Sequence, residues 1–280
     1  MKKQSVTKQE FDTFCTQGVL KNIKPDYFPN EYCHFTSPEN SSAIGKFNEK
    51  KKQLEILSSY QDGVWGIKPL NEEQQCAFDL LLDDDISLVT LVGQAGTGKT
   101  LLALTCALTK VFDETLYNRI LVSRPIMPLG KDIGYLPGTK EEKIFHWMQP
   151  IYDNLEFICE NTSGAGNGNE TKKWVMDSEK IEMEAVTYIR GRSLAKTFMI
   201  IDEAQNLSPH EMKTIISRAG KGTKVVLTGD PTQIDNPYLD KDSNALTYVV
   251  GKFKAHGLYG HMVFNKTERS ELAALAAKIL

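Results

Sequence analysis

The chain has 280 residues, with 33 basic and 36 acidic side chains, so its formal net charge is −3. Hydrophobic residues make up 41% of it and charged residues 25%, which excludes an intrinsically disordered protein. Its apolar runs fall far short of the roughly 20 residues of a membrane-spanning helix. Its near-neutral net charge argues against a protein that binds a nucleic-acid duplex across one broad basic face. A local basic groove is compatible with that charge.

The cysteines and the N-terminus bear on the cellular compartment. None of the five cysteines pairs with another at C-x-x-C spacing; they are Cys15, Cys33, Cys76, Cys106 and Cys159. An odd count without that spacing predicts neither a disulfide framework nor a zinc site and favours reduced, mostly buried thiols. Residues 1–10 are polar and lack the apolar stretch of a signal peptide. We therefore expect a cytoplasmic protein without a membrane partner.

Residues 1–64 differ in composition from the rest of the chain. They are polar, contain three prolines and carry a lysine run at residues 50–52. Only Gln53–Tyr60 suggests a helical period. We expect a small N-terminal appendage of mixed or β structure that is partly extended. The lysine run is more typical of a solvated surface than of a nucleic-acid site.

From residue 65 the sequence alternates between strand and helix patterns. Asn71–Leu82 and Leu101–Leu108 are typical of helices. Short β-branched runs, typical of strands buried on both faces, occur at Ser87–Val92, Ile120–Ser123, Phe198–Ile201, Val225–Thr228 and His261–Phe264. The alternation predicts one α/β domain over residues 65–280, with a parallel sheet flanked by helices.

Two connecting segments give opposite signals. Asn161–Lys173 is rich in Asn, Gly, Thr and Ser without an apolar period, so we predict a mobile surface loop. Residues 208–220 predict a helix, because Ser208 suits the N-cap, Pro209 the first helical position and Glu211 a capping box. Its apolar face comprises Met212, Ile215, Ile216 and Ala219, and Gly220 is expected to end it in a left-handed turn.

The strongest motif is a glycine-rich run between a predicted strand and a predicted helix. It fits G-x-x-x-x-G-K-[ST] and comprises Gly93, Gln94, Ala95, Gly96, Thr97, Gly98, Lys99 and Thr100. The backbone N–H groups of such a loop and the following helix N-terminus bind phosphate. Lys99 would contact the β- and γ-phosphates, and Thr100 would offer a hydroxyl to Mg²⁺. A glycine-rich turn with a chance lysine is the alternative, but it leaves the flanking strand and helix unexplained. The motif predicts a P-loop NTPase.

Polar residues follow two further predicted strands, where open α/β sheets bind ligands. Asp202 could hold Mg²⁺ through water, and Glu203 could orient or deprotonate the attacking water. An acidic helix N-terminus is the alternative for this pair. Gln233 could hydrogen-bond the γ-phosphate or the water, or simply face solvent in a turn. An amide upstream of the glycine-rich loop could read an adenine edge, but the residues alone do not separate Gln74 from Gln75.

Three of these segments together resemble the nucleotide site of superfamily-one helicases, namely Gly93–Thr100, Asp202–Gln205 and Gly229–Gln233. Further blocks are similar to the PhoH-like ATPase family and keep a consistent order and spacing. They are Trp65–Gln74, Ser123–Pro125, Asp132–Gly138, Tyr188–Ser193, Asp235–Leu239 and Glu268–Ala273. The resemblance covers residues 65–280. It implies a RecA-like core that binds ATP and Mg²⁺ and hydrolyses ATP.

The resemblance also implies roles for single residues. Gln74 would read adenine, Gln233 would sense the γ-phosphate, and Arg269 would be an arginine finger; a surface arginine is the alternative. Superfamily-one helicases complete their site with a second RecA-like domain, and this sequence has no second phosphate loop. We therefore expect a homo-oligomer in which a neighbouring subunit supplies the missing wall, with a ring-shaped hexamer favoured by the family resemblance.

The same family resemblance implies that nucleic acid is a partner. Its members are associated with RNA, and the most similar branch usually carries an N-terminal PIN ribonuclease domain. The residues before the ATPase are too few for such a domain and resemble the stretch between the two domains, so we expect an ATPase module without the nuclease. Lys131, Arg190 and Arg192 could grip a single strand without reading its sequence. Three aromatic residues are candidates for base stacking or, alternatively, for core packing: Tyr135, Trp147 and Tyr188.

The favoured function is Mg²⁺-dependent ATP hydrolysis coupled to RNA or single-stranded nucleic acid, with an RNA helicase or translocase as its fuller form. A regulatory or assembly ATPase that acts on a protein partner is the main alternative. A GTPase is a weaker one, because Asn265–Glu268 places Glu where the guanine motif N-K-x-D needs Asp. A phosphotransferase would need an acceptor pocket, which the sequence does not reveal.

Overall fold

The structure, a computed structural model, describes residues 1–21, 27–126, 140–163, 167–189 and 191–267, with only the backbone described at 140–144 and 163. The strands are β1 (Lys2–Ser5), β2 (Val19–Leu20), β3 (Tyr32–Thr36), β4 (Ser42–Asn48), β5 (Gln53–Ile56), β6 (Leu88–Gly93), β7 (Arg119–Arg124), β8 (Ile181–Ala185), β9 (Thr197–Ile201), β10 (Lys224–Gly229) and β11 (Tyr259–Phe264). The helices are α1 (Lys8–Gln17), α2 (Glu72–Leu82), α3 (Lys99–Leu108), α4 (Lys140–Ser163), α5 (Gly168–Asp177), α6 (Pro209–Ile216) and α7 (Ala245–Phe253). Among the described residues, no helix combines the length and the apolar character that crossing a membrane requires.

Six strands form an entirely parallel sheet in the order β11-β6-β10-β9-β7-β8. Strand β10 lies in the middle, and its residue Val226 pairs with Val89 of β6 on one side and Ile200 of β9 on the other. The carboxyl ends of β6, β10 and β9 therefore lie side by side. This edge of the sheet brings the glycine-rich loop next to the residues that follow β9 and β10.

Helices cover both faces of this sheet, because successive residues of each strand point to opposite faces. In β9, Phe198 and Ile200 join the core beneath helices α2, α3, α4 and α5. Met199 and Ile201 join a second core beneath α6 and α7. All four side chains are fully buried, which explains why the run reads as continuously apolar. The α/β fold with a parallel sheet flanked by helices is thus confirmed.

The N-terminal residues form a smaller mixed sheet in the order β1-β3-β4-β5-β2. Helix α1 packs on it through Phe14, whose ring centroid lies 5.0 Å from that of Phe35. Polar contacts attach this sheet to helix α2 of the larger unit. The Tyr32 hydroxyl donates to Asp79 at 2.6 Å, and the Lys46 ammonium lies 3.0 Å from the same carboxylate. The appendage therefore supports the helix that begins just before Gln74.

Three local predictions of secondary structure are wrong at least in part. Gln53–Tyr60 contains strand β5 rather than a helix. The described residues of the predicted loop 161–173 are almost all helical, since α4 continues to Ser163 and α5 begins at Gly168. Helix α6 has the predicted Ser208 cap and capping box but ends at Ile216. Gly220 is not left-handed; a side chain there would press on the backbone of Leu194.

Candidate nucleotide-binding site

The glycine-rich loop connects the end of β6 to the start of α3. Gly96 and Gly98 have φ angles of 80° and 87°, a left-handed conformation that strains any residue with a Cβ. Gly98 is the N-cap of α3 and provides no side chain to bond the first N–H groups of the helix. Those groups and the loop amides are therefore available for an anion at the helix N-terminus.

Lys99 lies at the first position of α3 and is largely buried. Its ammonium donates to the carbonyl oxygens of Gly93 at 2.7 Å and Gln94 at 2.8 Å, and reaches the Thr97 hydroxyl at 3.4 Å. These contacts hold the positive charge beside the loop that would cradle the phosphates. A lysine in this place supplies a point charge to the β- and γ-phosphates of a nucleotide.

Thr100 and Asp202 meet directly. The Thr100 hydroxyl donates to Asp202 Oδ1 at 2.8 Å, and the Thr228 hydroxyl donates to the same oxygen at 2.6 Å. Thr228 is a residue that the sequence analysis did not single out. A hydroxyl and a carboxylate form the kind of oxygen pair that holds Mg²⁺ beside phosphates. Within the described residues no three His, Cys, Asp or Glu side chains gather into a metal centre.

Glu203 follows Asp202 in a left-handed conformation, with a φ angle of 54°. Both oxygens of its carboxylate are held: Oε1 lies 3.4 Å from the Arg124 guanidinium, and Oε2 accepts from the Gln205 amide at 2.5 Å. Burial raises the pKa of Glu203, and the adjacent charge of Asp202 raises it further, against the opposing effects of Gln205, Arg124 and Lys99. A raised pKa makes this carboxylate a stronger proton acceptor.

Gln205 links Glu203 to the turn after β10. Its side chain is fully buried. Besides Glu203, its amide nitrogen donates to the Gln233 carbonyl at 2.9 Å, and its oxygen accepts from the Asp230 N–H at 3.1 Å. A Cβ on Gly229 would collide with the Gln205 oxygen, so glycine is required there. One amide therefore fixes the position of Glu203 relative to the turn that carries Gln233.

The two carboxylate oxygens of Asp230 differ in their contacts. Its Oδ1 accepts from the backbone and the hydroxyl of Thr232, but its buried Oδ2 has no hydrogen-bond partner among the described residues. Asp230 lines the same cavity as Asp202 and Glu203. A water molecule in this cavity would satisfy the oxygen.

Lys99, Thr100, Asp202, Glu203 and Asp230 line one cavity of about 650 Å³, a volume suited to a nucleotide. Gln74 lines it as well, whereas the half-buried Gln75 bonds the Ser58 carbonyl instead. The Gln74 oxygen accepts from the Leu70 N–H at 2.8 Å, and its nitrogen donates to the Thr97 carbonyl at 3.2 Å. The cavity unites predicted residues from four parts of the chain: Gln74, Ala95, Gly96, Gly98, Lys99, Thr100, Asp202, Glu203 and Gln233.

Of the other predicted site residues, Gly93, Gln94 and Thr97 belong to the loop but do not line this cavity. Lys131, Arg190 and Arg269 lie outside the described residues. Arg192 is described, and its guanidinium bonds Glu184 at 2.7 Å and Glu182 at 3.0 Å, so two carboxylates offset its charge. Arg124, Gln205, Thr228 and Asp230 were missed as site residues, although each lies at or just after the end of a predicted strand.

Comparison with known proteins gives one family. The profile of the family described as PhoH-like protein matches residues 66–279. The chain is 49% identical to Protein PhoH2 of Bacillus subtilis strain 168, over 98% of this chain and 62% of that protein. It is 34% identical to Protein PhoH2 of Mycolicibacterium smegmatis, over 100% of this chain and 62% of that protein. The chain thus spans less than two thirds of the length of these relatives.

Solved structures resemble the chain only distantly. A Pif1 helicase from Candida albicans is 17% identical, with a TM-score of 0.41 over 76% of this chain and 43% of that one. A Bacteroides Pif1 helicase in complex with ADP-AlF3 and single-stranded DNA is 16% identical, with a TM-score of 0.34 over 73% of this chain and 44% of that one.

Proposed function

Because the chain belongs to the PhoH-like protein family, we propose that it binds ATP with Mg²⁺, hydrolyses it, and couples hydrolysis to single-stranded nucleic acid, RNA in particular. The observation that carries the ATPase part is the meeting of three groups in one cavity. Lys99 of the phosphate loop, the Thr100–Asp202 pair and the held carboxylate of Glu203 all line it. Together they provide phosphate binding, a metal position and a proton acceptor.

The phosphate loop would bind the triphosphate through its amides and the N-terminus of α3. Lys99 would exchange contacts with loop carbonyls for contacts with phosphate oxygens. Thr100 and Asp202 would hold Mg²⁺, which neutralises charge on the phosphates when bound. Thr228 keeps Asp202 oriented by donating to its Oδ1 at 2.6 Å.

Glu203 would accept a proton from the attacking water. Its raised pKa favours that transfer, and the bonds from Arg124 and Gln205 hold the carboxylate in one orientation. Gln233 would detect whether the γ-phosphate is attached. Since Gln205 bonds both Glu203 and the Gln233 backbone, a change at the phosphate would reach the turn after β10.

That turn supports coupling to a second ligand. Asn206, the residue after Gln205, also bonds the chain that follows β10. Its oxygen accepts from the Asp235 N–H at 2.7 Å, and its nitrogen donates to the Asp235 carboxylate at 3.1 Å. Three residues later Tyr238 is 91% exposed. An exposed aromatic ring on an element tied to the site could stack on a base of a single strand. Arg269 of a neighbouring subunit in a ring, hexameric by family resemblance, would complete the site.

A second candidate function has an observation in its favour. The segment around Tyr238 is acidic, with Asp235, Asp240 and Asp242 against Lys241, and the charge of Arg192 is offset by Glu182 and Glu184. These surfaces suit a basic protein better than a polyanion. An assembly or regulatory ATPase that acts on a protein partner is therefore the alternative.

Steady-state ATP hydrolysis with Mg²⁺, with and without single-stranded RNA, tests the proposal. Lys99→Ala should abolish hydrolysis, and Lys213→Ala, an exposed lysine of α6 away from the cavity, is the matched control. Stimulation by RNA in the wild type and the control supports the nucleic-acid coupling. Hydrolysis that RNA leaves unchanged favours the protein-partner alternative, and the absence of hydrolysis under all conditions refutes the ATPase itself.

A further inference from the structure

The cavity extends beyond the phosphate loop to a second end that is formed partly by helix α4, which lies outside every motif of the sequence analysis. Helix α4 forms one wall of this end through Asn154, Phe157 and Asn161. Their spacing of three and four residues places them on one face of the helix. The opposite wall consists of Ile67 and Leu70, which precede α2. We call this end of the cavity, bounded by these five residues, the α4 seat.

The two walls of the α4 seat are fixed relative to each other. Gly66 has a φ angle of 69°, and a Cβ there would collide with the Asn161 carbonyl. The Thr162 hydroxyl donates to the Trp65 carbonyl at 2.7 Å. The end of α4 is therefore docked directly on the chain before Ile67.

The α4 seat is also joined to the phosphate loop. Gln74 bonds the Leu70 N–H with its oxygen and the Thr97 carbonyl with its nitrogen. Leu70 therefore has a set position relative to the loop that would bind the triphosphate. A ligand whose phosphates lie on the loop would extend its remaining part into the seat.

The surface of the seat suits a flat aromatic ring. Phe157 is 49% exposed and Leu70 is 68% exposed, so each wall presents an apolar side chain to the cavity. Burial of such side chains against a ring is favourable, and a base stacks readily on a phenyl face. The polar phosphate cradle and this apolar pair together match a nucleoside triphosphate.

The two asparagine side chains of the seat present acceptor oxygens, whereas the exposed Lys68, which also lines the cavity, carries a donor. Asn154 donates its side-chain nitrogen to the Pro150 carbonyl at 2.7 Å, and Asn161 donates to the Phe157 carbonyl at 2.7 Å. Their Oδ1 atoms have no hydrogen-bond partner in the described part of the chain. A purine with a 6-amino group can donate to such an oxygen, whereas a 6-oxo purine presents another acceptor there.

We propose that the α4 seat binds the nucleobase, with Phe157 stacked on the ring and the oxygens of Asn154 and Asn161 selecting a 6-amino purine over a 6-oxo purine. Helix α4 is then the specificity element of the site, next to the amide of Gln74. This inference rests on the proposed nucleotide-binding function. It adds residues that lie outside the phosphate-loop motifs and explains how adenine would be preferred to guanine.

The stacking is tested with Phe157→Ala. The matched control is Phe145→Ala, which removes a ring of similar exposure from the same helix; Phe145 packs on Tyr152 rather than lining the cavity. The measurements are equilibrium binding of ATP and of inorganic tripolyphosphate, and the kinetics of ATP hydrolysis. We expect Phe157→Ala to weaken ATP binding and raise KM about 10-fold. We expect kcat to change by less than about twofold, because base binding is equal in the ground and transition states. Tripolyphosphate binding should not change.

The outcomes separate this inference from the proposed function. Equal ATP affinity in the two phenylalanine variants would overturn the stacking while leaving the ATPase intact. If the wild type binds ATP without hydrolysing it, and Phe157→Ala binds ATP more weakly than the wild type, the result would support the seat and refute the proposed hydrolysis. A wild type that binds neither ATP nor tripolyphosphate would refute both.

The selection is tested with ITP, which differs from ATP in carrying a 6-oxo group. We expect the wild type to bind ATP at least about 10-fold more tightly than ITP. The double variant Asn154→Leu with Asn161→Leu should lose this preference and keep its affinity for tripolyphosphate. Equal affinity of the wild type for ATP and ITP, or an unchanged preference in the double variant, would overturn the role of the two asparagines.

Discussion

Replacement of Gln205 by leucine separates the positioning of Glu203 from the packing around it. The Gln205 amide is fully buried and makes three hydrogen bonds: to the Glu203 carboxylate at 2.5 Å, to the Gln233 carbonyl at 2.9 Å and from the Asp230 N–H at 3.1 Å. Leucine has a similar volume and can make none of them. The substitution thus removes one hydrogen bond to a charged group and leaves two backbone groups, the Gln233 carbonyl and the Asp230 N–H, without this partner.

The magnitudes follow from these contacts. Each buried group that loses its partner costs about 1–3 kcal/mol. Some relaxation of the turn is expected, so we predict a loss of about 3–5 kcal/mol in the free energy of unfolding. Glu203 would keep its bond to Arg124 but lose its second anchor. A displacement of about 1 Å in a catalytic group lowers the rate about 10²-fold, and we expect a fall of that order in kcat.

The matched control is Asn206→Leu. Asn206 is the next residue, is also buried and bonds the Asp235 N–H and carboxylate and the Asn236 N–H. Its side chain does not bond Glu203; only its backbone N–H donates to the Glu203 carbonyl, at 3.0 Å, and the substitution keeps that bond. Chemical denaturation should show a similar loss of stability in both variants, and equilibrium binding should show that both retain ATP. Only Gln205→Leu should lose kcat on the 10²-fold scale. An equal loss of kcat in both variants would refute the positioning role and assign the effect to the packing of the turn.

Three further predictions concern other groups. Thr228→Val removes the hydroxyl that donates to Asp202 at 2.6 Å and should raise the Mg²⁺ concentration for half-maximal hydrolysis about 10-fold, the lower end for one lost hydrogen bond to a charged group; a Mg²⁺ titration that matches the wild type would contradict this. Asp230→Asn should lower kcat more than ATP affinity, because the unpartnered Oδ2 lies in the cavity with Asp202 and Glu203; a pure change in affinity would argue against a role near the γ-phosphate. Burial lowers the pKa of His261 from 6.5 to about 4, so the unfolded chain gains a proton before the folded one as pH falls, and stability should drop by up to about 3 kcal/mol between pH 6.5 and 4. Denaturation of His261→Asn across this range should show a smaller pH dependence, and an unchanged one would exclude His261 as the cause.

The nucleotide site could be predicted where its signals are local in sequence. Phe198–Ile201 is apolar at every position, and Val225–Thr228 is apolar at all but its last, because both faces of their strands are covered. The glycine-rich loop requires left-handed residues at Gly96 and Gly98, and this requirement is visible in the sequence itself. The strand ends then place Asp202 and Glu203 beside Lys99.

The parts that were missed depend on distant partners. Strand β8 carries Glu182 and Glu184, which the sequence presents as solvent-facing charges but which bond Arg119 and Arg192. Helix α5 is polar over most of its length and is anchored by Val175, which is buried, and Trp174, which packs on Phe112 at 5.0 Å. Both anchors lie just beyond the predicted loop.

Other misses had a readable signal. Thr7 and Glu10 form a capping box at the start of α1, and Gly18 ends the helix in a left-handed conformation. That pattern is an established helix signature. By contrast, the amide of Gln205 could not be assigned from sequence, because its partner Gln233 lies 28 residues away on another strand end.

A single-turnover experiment on Glu203→Gln tests the central claim most directly. The variant keeps the size and hydrogen-bonding capacity of the side chain but removes the carboxylate that would accept a proton from water. We predict that it binds ATP with Mg²⁺ as tightly as the wild type and releases phosphate at least about 10²-fold more slowly, the range of general base catalysis. Phosphate release at the wild-type rate would contradict the assignment of Glu203 and the catalytic site built around it.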